Sequence, residues 1–426
     1  MKLVKGFINR IRTSDYTKSL LVLTGGTFIA QLIPIIFYPI IGRLFTPDQI
    51  GTAAIFSQIA AILAILVTGG YTYSIFISKS KEEAFNIIVL VLSLSIFVLS
   101  VICLTFYFLR DEIHLLLNEP LFVKLFFIPI LIALFIVIYQ CYNEWCVKNK
   151  YFKQLSVNKL VNSSSLSIAE TLFGCMNSLV LGNGKVYCEL IGRGISAFSC
   201  LFSMFVKDRN LYKIVSLSVV KECLTKYIRF PKYVMTGKLI NSVSCAIPLF
   251  YLGAVFTKEE LGFFSMSNTI IAVPISIITI AVSDAYRQRA NEDYNNYGSC
   301  RNILVKTIVP ISIISLVGFS ILFIISPFLF EIILGSQWIN AGIYTRYLIP
   351  MVAISFVTEV IRPTLIIASK QSYDFIWQLL FLFSMLLLIV ISNLYRDIYV
   401  FLLFFSGIKS LLFLLQFYWC YRYSVK

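Results

Sequence analysis

Twelve stretches of about twenty residues, each nearly free of charge, constrain this chain more than anything else in it. They fall at approximately 20–42, 51–77, 85–109, 125–143, 161–181, 186–206, 237–256, 261–283, 307–330, 347–368, 375–395 and 398–420. A helix rises about 1.5 Å per residue, so roughly 20 apolar residues cross a hydrocarbon core of about 30 Å. Within lipid every backbone N–H and C=O must be satisfied inside the segment, and a helix does this. The runs predict an all-α integral membrane protein with about twelve transmembrane helices. Hydrophobic residues make up 58% of the 426 positions and charged residues 13%, and the longest stretch without a span, 207–236, leaves no room for a soluble catalytic domain. No G-x-x-x-x-G-K-[ST] is present to bind ATP, and no H-E-x-x-H or G-x-S-x-G supports hydrolase chemistry.

The net charge is +15, and its placement matters more than its size. If the N-terminus is inside, 25 Lys and Arg lie on inside segments and seven on outside loops. Basic residues collect on the cytoplasmic side, so both termini are expected in the cytoplasm. The charge therefore points to topology and anionic lipid, not to nucleic acid. The arm 1–19 carries Leu3, Val4, Phe7, Ile8 and Ile11 on one helical face against Lys2, Lys5, Arg10 and Arg12, which predicts an interfacial amphipathic segment. It reads as retained, because the apolar stretch that follows is too long for a signal peptide.

Ten cysteines are scattered without a C-x-x-C pair, and they read as small packing residues. The single histidine, His114, stands beside Asp111 and Glu112 and reads as a solvated loop residue. No metal site or resident cofactor is expected.

The two halves match each other. Phe45-Thr46-Pro47-Asp48-Gln49-Ile50-Gly51 recurs as Phe256-Thr257-Lys258-Glu259-Glu260-Leu261-Gly262, an offset of 211 that also sets Gly26 on Gly237 and Ala61 on Ala272. Six spans per half is an even number, so the halves enter the membrane in the same sense, as parallel repeats. The expected organisation is a cytoplasmic arm (1–19), a six-helix bundle (20–206), a basic cytoplasmic linker (207–236), a second six-helix bundle (237–420) and a short tail (421–426). Two matched bundles enclosing a central cleft suit a transporter that exposes the cleft to one side and then the other.

Several blocks in order resemble the polysaccharide flippases of the Wzx type, within the multidrug, oligosaccharidyl-lipid and polysaccharide exporter superfamily. They are Gly42-Arg43-Leu44-Phe45-Thr46-Pro47 with Gly51; Trp145 with Lys150-Tyr151-Phe152-Lys153; Phe230-Pro231-Lys232-Tyr233; Gly262-Phe263-Phe264-Ser265 with Pro274; and Gly335-Ser336-Gln337-Trp338-Ile339-Asn340-Ala341-Gly342. One departure is Tyr71-Thr72-Tyr73-Ser74, where the family often has an aromatic-acidic pair. The resemblance implies a non-enzymatic transporter in the bacterial inner membrane. Its cargo would be a polyprenyl-pyrophosphate-linked oligosaccharide moved from the inner to the outer leaflet for O-antigen or related lipopolysaccharide synthesis, with a polymerase and a chain-length regulator as candidate partners. A drug/cation antiporter of the same superfold and a membrane polysaccharide polymerase are the competing readings; the second is disfavoured because the longest loop is basic and cytoplasmic.

Six ionisable residues fall within predicted spans: Glu170, Glu189, Arg193, Glu359, Arg362 and Lys409. At roughly 2.5–3.5 kcal/mol each toward lipid, they must face protein or water. Glu189 with Arg193, and Glu359 with Arg362, share helix faces and can neutralise each other. Glu170 has no basic residue within a turn, which makes it a candidate proton or sodium carrier. A pyrophosphate needs cations to replace its water, and Lys409, mid-span with no nearby acid in sequence, is the first candidate, ahead of Arg193 and Arg362. Polar stripes at helical spacing run Thr24, Thr27, Gln31, Pro34 and Tyr38; Ser163, Ser167, Glu170, Gly174 and Asn177; and Gly237, Asn241, Ser244 and Pro248. Such stripes either line a cavity, which would make Gln31, Asn177 and Asn241 lining residues, or pack helices closely.

Overall fold

A computed structural model describes residues 15–110, 112, 124–176, 184–209 and 215–425, with side chains from Thr24 onward. His114, Asn177 and the first fourteen residues of the expected amphipathic arm lie outside the described residues. The helices run α1 (Asp15–Leu44), α2 (Pro47–Thr68), α3 (Thr72–Ile77), α4 (Lys81–Phe108), α5 (Phe127–Lys148), α6 (Phe152–Cys175), α7 (Gly184–Asp208) and α8 (Leu217–Lys226). After a π-helical turn at Phe230–Met235 come α9 (Thr236–Val255), α10 (Lys258–Tyr297), α11 (Arg301–Leu334), α12 (Ile339–Ile361), α13 (Pro363–Ile367), α14 (Gln371–Tyr395) and α15 (Ile398–Arg422).

Among the described residues, eleven segments are long and apolar enough to cross a membrane. The expected fifth span is the exception. It is helical, but α6 carries Asn158, Lys159, Asn162, Ser163, Ser164, Ser165, Ser167, Glu170 and Thr171 and starts at Phe152, well before 161. Its polarity is absorbed by close packing on α7. The Ser165 hydroxyl donates to the Gly192 carbonyl at 2.8 Å, and a Cβ on Gly192 would lie 2.7 Å from the Leu166 Cα. Small residues let the backbones approach, and hydroxyls then reach carbonyls across the interface.

The chain divides into two compact units, one of residues up to Phe37 with Phe56–Leu239, the other of Tyr38–Ile55 with Ile240 onward. In the first, Trp145 is fully buried, edge-on to Phe85, and its indole N–H donates to Asp208 at 2.9 Å. The segment expected to be a basic linker contains α8, which packs on α4. The Lys226 ammonium and the Tyr227 hydroxyl both donate to the Glu83 carboxylate, and Tyr71 donates to the Leu224 carbonyl at 2.9 Å. That hydrogen bond from Lys226 to Glu83 raises the lysine's pKa above its ordinary value. Gly70, at φ +70°, leaves room for the π-turn; a Cβ there would press on the Phe230 carbonyl and the Met235 nitrogen.

In the second unit α12 packs against α10, α11 and α15. The internal repeat has a structural counterpart here. Thr46 and Gln49 bond reciprocally at the start of α2, backbone N to side-chain oxygen at 3.2 and 3.4 Å. Thr257 and Glu260 do the same at the start of α10, at 3.0 and 3.2 Å. Each is a capping box that satisfies orphan N–H groups, a contribution of about 1 kcal/mol. The repeat-equivalent Gly51 and Gly262 lie where these two helix starts cross: a Cβ on Gly51 would collide with the Lys258 carbonyl, and one on Gly262 with the Pro47 carbonyl. The Gly42 carbonyl, at the end of α1, accepts the Trp338 indole N–H and the Gln337 amide, each at 2.6 Å. Two blocks nearly three hundred residues apart in sequence thus close one helix terminus.

Candidate functional site

Lys409 stands on α15, eleven residues after its first residue Ile398. Its ammonium lies 5.0 Å from the Phe381 ring centroid and 5.1 Å from that of Phe405. Ring faces carry negative charge density and hold a cation without neutralising it, at roughly 0.5–2 kcal/mol. Among the described residues no carboxylate lies within ion-pair distance of it. It opens onto a cavity of about 380 Å³ that Asn268, Ser276, Thr279, Ser355 and Glu359 also line. The Thr279 hydroxyl is buried and has no hydrogen-bond partner among the described residues. A cation, an amide, several hydroxyls and apolar walls suit a ligand with an anionic group and sugar-like hydroxyls.

Arg362 sits one turn from that cavity and is held from two sides. Its Nε donates to Asp374 at 3.0 Å and Nη1 to both Glu359 oxygens at 3.3 Å, while Nη2 lies 2.8 Å from Asp374. Gln416, on the same face of α15 as Lys409, is 3.5 Å from the same Asp374 oxygen. The predicted Glu359–Arg362 pairing is present, and Asp374 joins it from α14, a contact that spacing along one helix could not reveal. With both carboxylates on its donors, Arg362 is less available to a ligand than Lys409.

The first unit holds three further polar centres. Arg193 Nε donates to Glu189 at 2.8 Å, as the four-residue spacing predicts, and the Ser57 hydroxyl also donates to Glu189. Glu170, expected as an ion carrier or a charge-pairing group, is paired with Lys185, whose ammonium donates to it. Lys185 occupies the first turn of α7, which packs on α6, so the partner comes from fifteen residues ahead and not from the same helix. Lys159, which lies just before the predicted span at 161–181, belongs to α6 and donates to the Thr27 hydroxyl of α1 at 2.9 Å. Gln31 is half-buried one turn beyond Thr27 on α1. In the second unit Asn241 is half-buried on α9, beside buried Ser244, whose hydroxyl returns to the Ile240 carbonyl. In the stripe of α6, Ser167 and Gly174 are buried, so that stripe packs helices at these two positions. In the second unit Lys409 and Glu359 line one cavity, with Arg362 held on Glu359 beside it; the Glu189–Arg193 and Glu170–Lys185 pairs belong to the first unit.

The fold is shared with solved structures of membrane transporters and of a flippase. The lipid II flippase MurJ in an inward closed conformation superposes with a TM-score of 0.73 at 12% identity, covering 94% of this chain and 87% of that one. An inward-facing multidrug resistance MATE family transporter of the MOP superfamily gives 0.62 at 15% identity over 94% and 93%. A MOP superfamily transporter from Pyrococcus furiosus gives 0.56 at 15% identity over 96% of each. A search of curated protein sequences finds none that matches. These identities establish the fold alone. Kinship comes from the sequence itself, because a family model described as polysaccharide biosynthesis protein matches residues 40–342. That stretch is well over half the chain and contains both capping boxes and the Gly42–Trp338 closure, and the chain accordingly belongs to the polysaccharide biosynthesis protein family.

Proposed function

We propose that this multi-pass membrane protein is a lipid-linked oligosaccharide flippase of the bacterial inner membrane. Its cargo is a polyprenyl-pyrophosphate-linked repeat unit, carried from the inner to the outer leaflet ahead of polymerisation into O-antigen or a related surface polysaccharide. The carrying observation is Lys409, a cation on a membrane helix that lies against two phenyl rings, with no carboxylate within ion-pair distance among the described residues, beside a cavity lined by hydroxyl and amide groups and by Glu359. A cation at membrane depth is costly unless an anion or water offsets it. A pyrophosphate supplies that anion, and the attached sugars supply partners for Asn268, Ser355 and the unsatisfied Thr279 hydroxyl. The family match and the MurJ-like fold support a flippase of this class. With no ATP-binding motif in the sequence, energy comes from a proton or sodium gradient in this reading.

The test is complementation of a strain lacking its own flippase. A charge-assisted contact contributes about 1.5–3 kcal/mol, so Lys409→Ala is expected to lower surface polysaccharide by about ten- to a hundredfold at unchanged membrane abundance. Lys409→Arg keeps the charge in altered geometry and retains part of it. Wild-type polysaccharide from Lys409→Ala would place head-group recognition elsewhere. Accumulation of unpolymerised units on the inner leaflet separates a transport defect from a polymerase defect, which displays single units outside.

A further inference from the structure

A second cationic cavity lies in the second unit, away from Lys409, where the membrane helices α14 and α15 begin and end. Its volume is about 530 Å³, and its walls include Tyr294, Ile367, Lys370, Arg422, Tyr423 and Val425. The segment Tyr421–Val425 is fastened there: the Cys300 N–H donates to the Ser424 carbonyl at 2.8 Å, Ser299 and Val425 form an isolated antiparallel bridge, and Arg301 stacks 4.5 Å over Tyr421. Lys370 follows Ser369, which is in the left-handed region at φ +55°, and its N–H is tied to the Leu365 carbonyl at 2.7 Å. The backbone that presents the lysine is therefore held.

The charge in this cavity is one-sided. The Lys370 ammonium lies 5.3 Å from the Tyr423 ring centroid and the Arg422 guanidinium 5.7 Å from it, so one ring carries both cations. Among the described residues neither makes an ion pair, and no Asp or Glu lines the cavity. Asp374, the next carboxylate along α14, is occupied by Arg362. Two like charges drawn to one tyrosine repel each other, and a phosphate placed between them would remove that cost. The Tyr423 hydroxyl donates to the Tyr373 hydroxyl at 2.5 Å, which fixes the ring that carries them. Ile367 and Val425 add apolar wall, and Ile366 beside them is 62% exposed. The basic-residue count assigns this end to the cytoplasmic leaflet, whose anionic lipids attract such clusters.

We infer that the cavity between Lys370 and Arg422 binds the phosphate head group of an anionic phospholipid, independently of the transported substrate. The test uses the full chain in nanodiscs, with bound lipid read by native mass spectrometry. Phosphatidylglycerol is expected to be retained over phosphatidylcholine. The double variant Lys370→Ala/Arg422→Ala should lower that preference by about 25-fold, a factor of roughly five per basic residue at an anionic surface. Lys370→Arg/Arg422→Lys should keep it, and Arg287→Ala, which removes an exposed cation paired with Asp284, should leave it unchanged. Glycerol phosphate in millimolar amounts should fail to displace the lipid, because the apolar wall holds only the lipid. The inference is overturned if the double variant keeps wild-type selectivity, if Arg287→Ala lowers it equally, or if glycerol phosphate competes fully, which would make this a soluble-anion site. Both substituted side chains are exposed, so an unchanged melting temperature is expected and confirms that the variant is folded.

Discussion

At the scale of single residues, charges on neighbouring helices decide what each ionisable group is free to do. Glu170 and Lys185 are each less than a fifth exposed, so removing one partner leaves the other charge poorly solvated. Glu170→Gln is expected to destabilise the protein by about 1–3 kcal/mol, read as a lower melting temperature in detergent. Glu170→Gln/Lys185→Met should recover most of the loss, because no orphaned ammonium remains. If the carboxylate instead carries the coupling ion, Glu170→Gln will lose ion-dependent export without a change in melting temperature, and the double variant will not recover it. Glu189 and Arg193 were legible in the sequence because both lie on α7, four residues apart. Lys185 against Glu170, and Asp374 against Arg362, were not, because each partner comes from another helix.

At the scale of elements, the helix starts of α2 and α10 cross at glycines that admit nothing larger. Gly262→Ala would drive a methyl group into the Pro47 backbone carbonyl. Backbone on both sides cannot rotate away as a side chain can, so overpacking should cost about 1–3 kcal/mol or more. The measurement is the yield of monodisperse protein and its melting temperature. Gly407→Ala, where a Cβ meets nothing within 4 Å, is the control and should be neutral. Gly51 should behave as Gly262 does, since the repeat places both at the same crossing. The repeated F-T-x-[DE]-x-[IL]-G pattern revealed the equivalence of the two helix starts. That they touch each other required coordinates. The polar helix α6 marks the opposite case: a hydropathy argument places a span at 161–181, whereas its helix starts at Phe152 and relies on α7 to cover serines that lipid would not tolerate.

At the scale of the whole molecule, the basic-residue asymmetry makes a claim that covalent labelling can check. In a background lacking the exposed Cys175 and Cys245, a cysteine at Asn340 is expected to react with an impermeant reagent from the periplasm, and one at Lys221 is expected to stay unlabelled in intact cells. Both positions are exposed, so burial does not confound the comparison. The reverse pattern would invert every sidedness assignment, including the leaflet of the Lys370–Arg422 cavity.

What the sequence determined by itself was the class of molecule: a multi-pass helical membrane protein, with a repeat at an offset of 211 and a family kinship. Hydropathy, basic-residue bias and local capping act over spans of a few to twenty residues, so a linear reading captures them. The tertiary structure decided which charges are free. Arg362, a second-ranked sequence candidate for the ligand, is held by Glu359 and Asp374, whereas Lys409 meets two phenyl rings and a cavity. It also turned a nominal linker into α8 docked on Glu83, and a nominal loop lysine, Lys159, into a partner of Thr27. Each of these outcomes depends on which helices pack side by side. Apolar stripes of similar width on many helices do not encode that choice, because burial energy scales with area and is indifferent to partner. Close approach at small residues and paired polar groups select the neighbours, and they do so only in three dimensions.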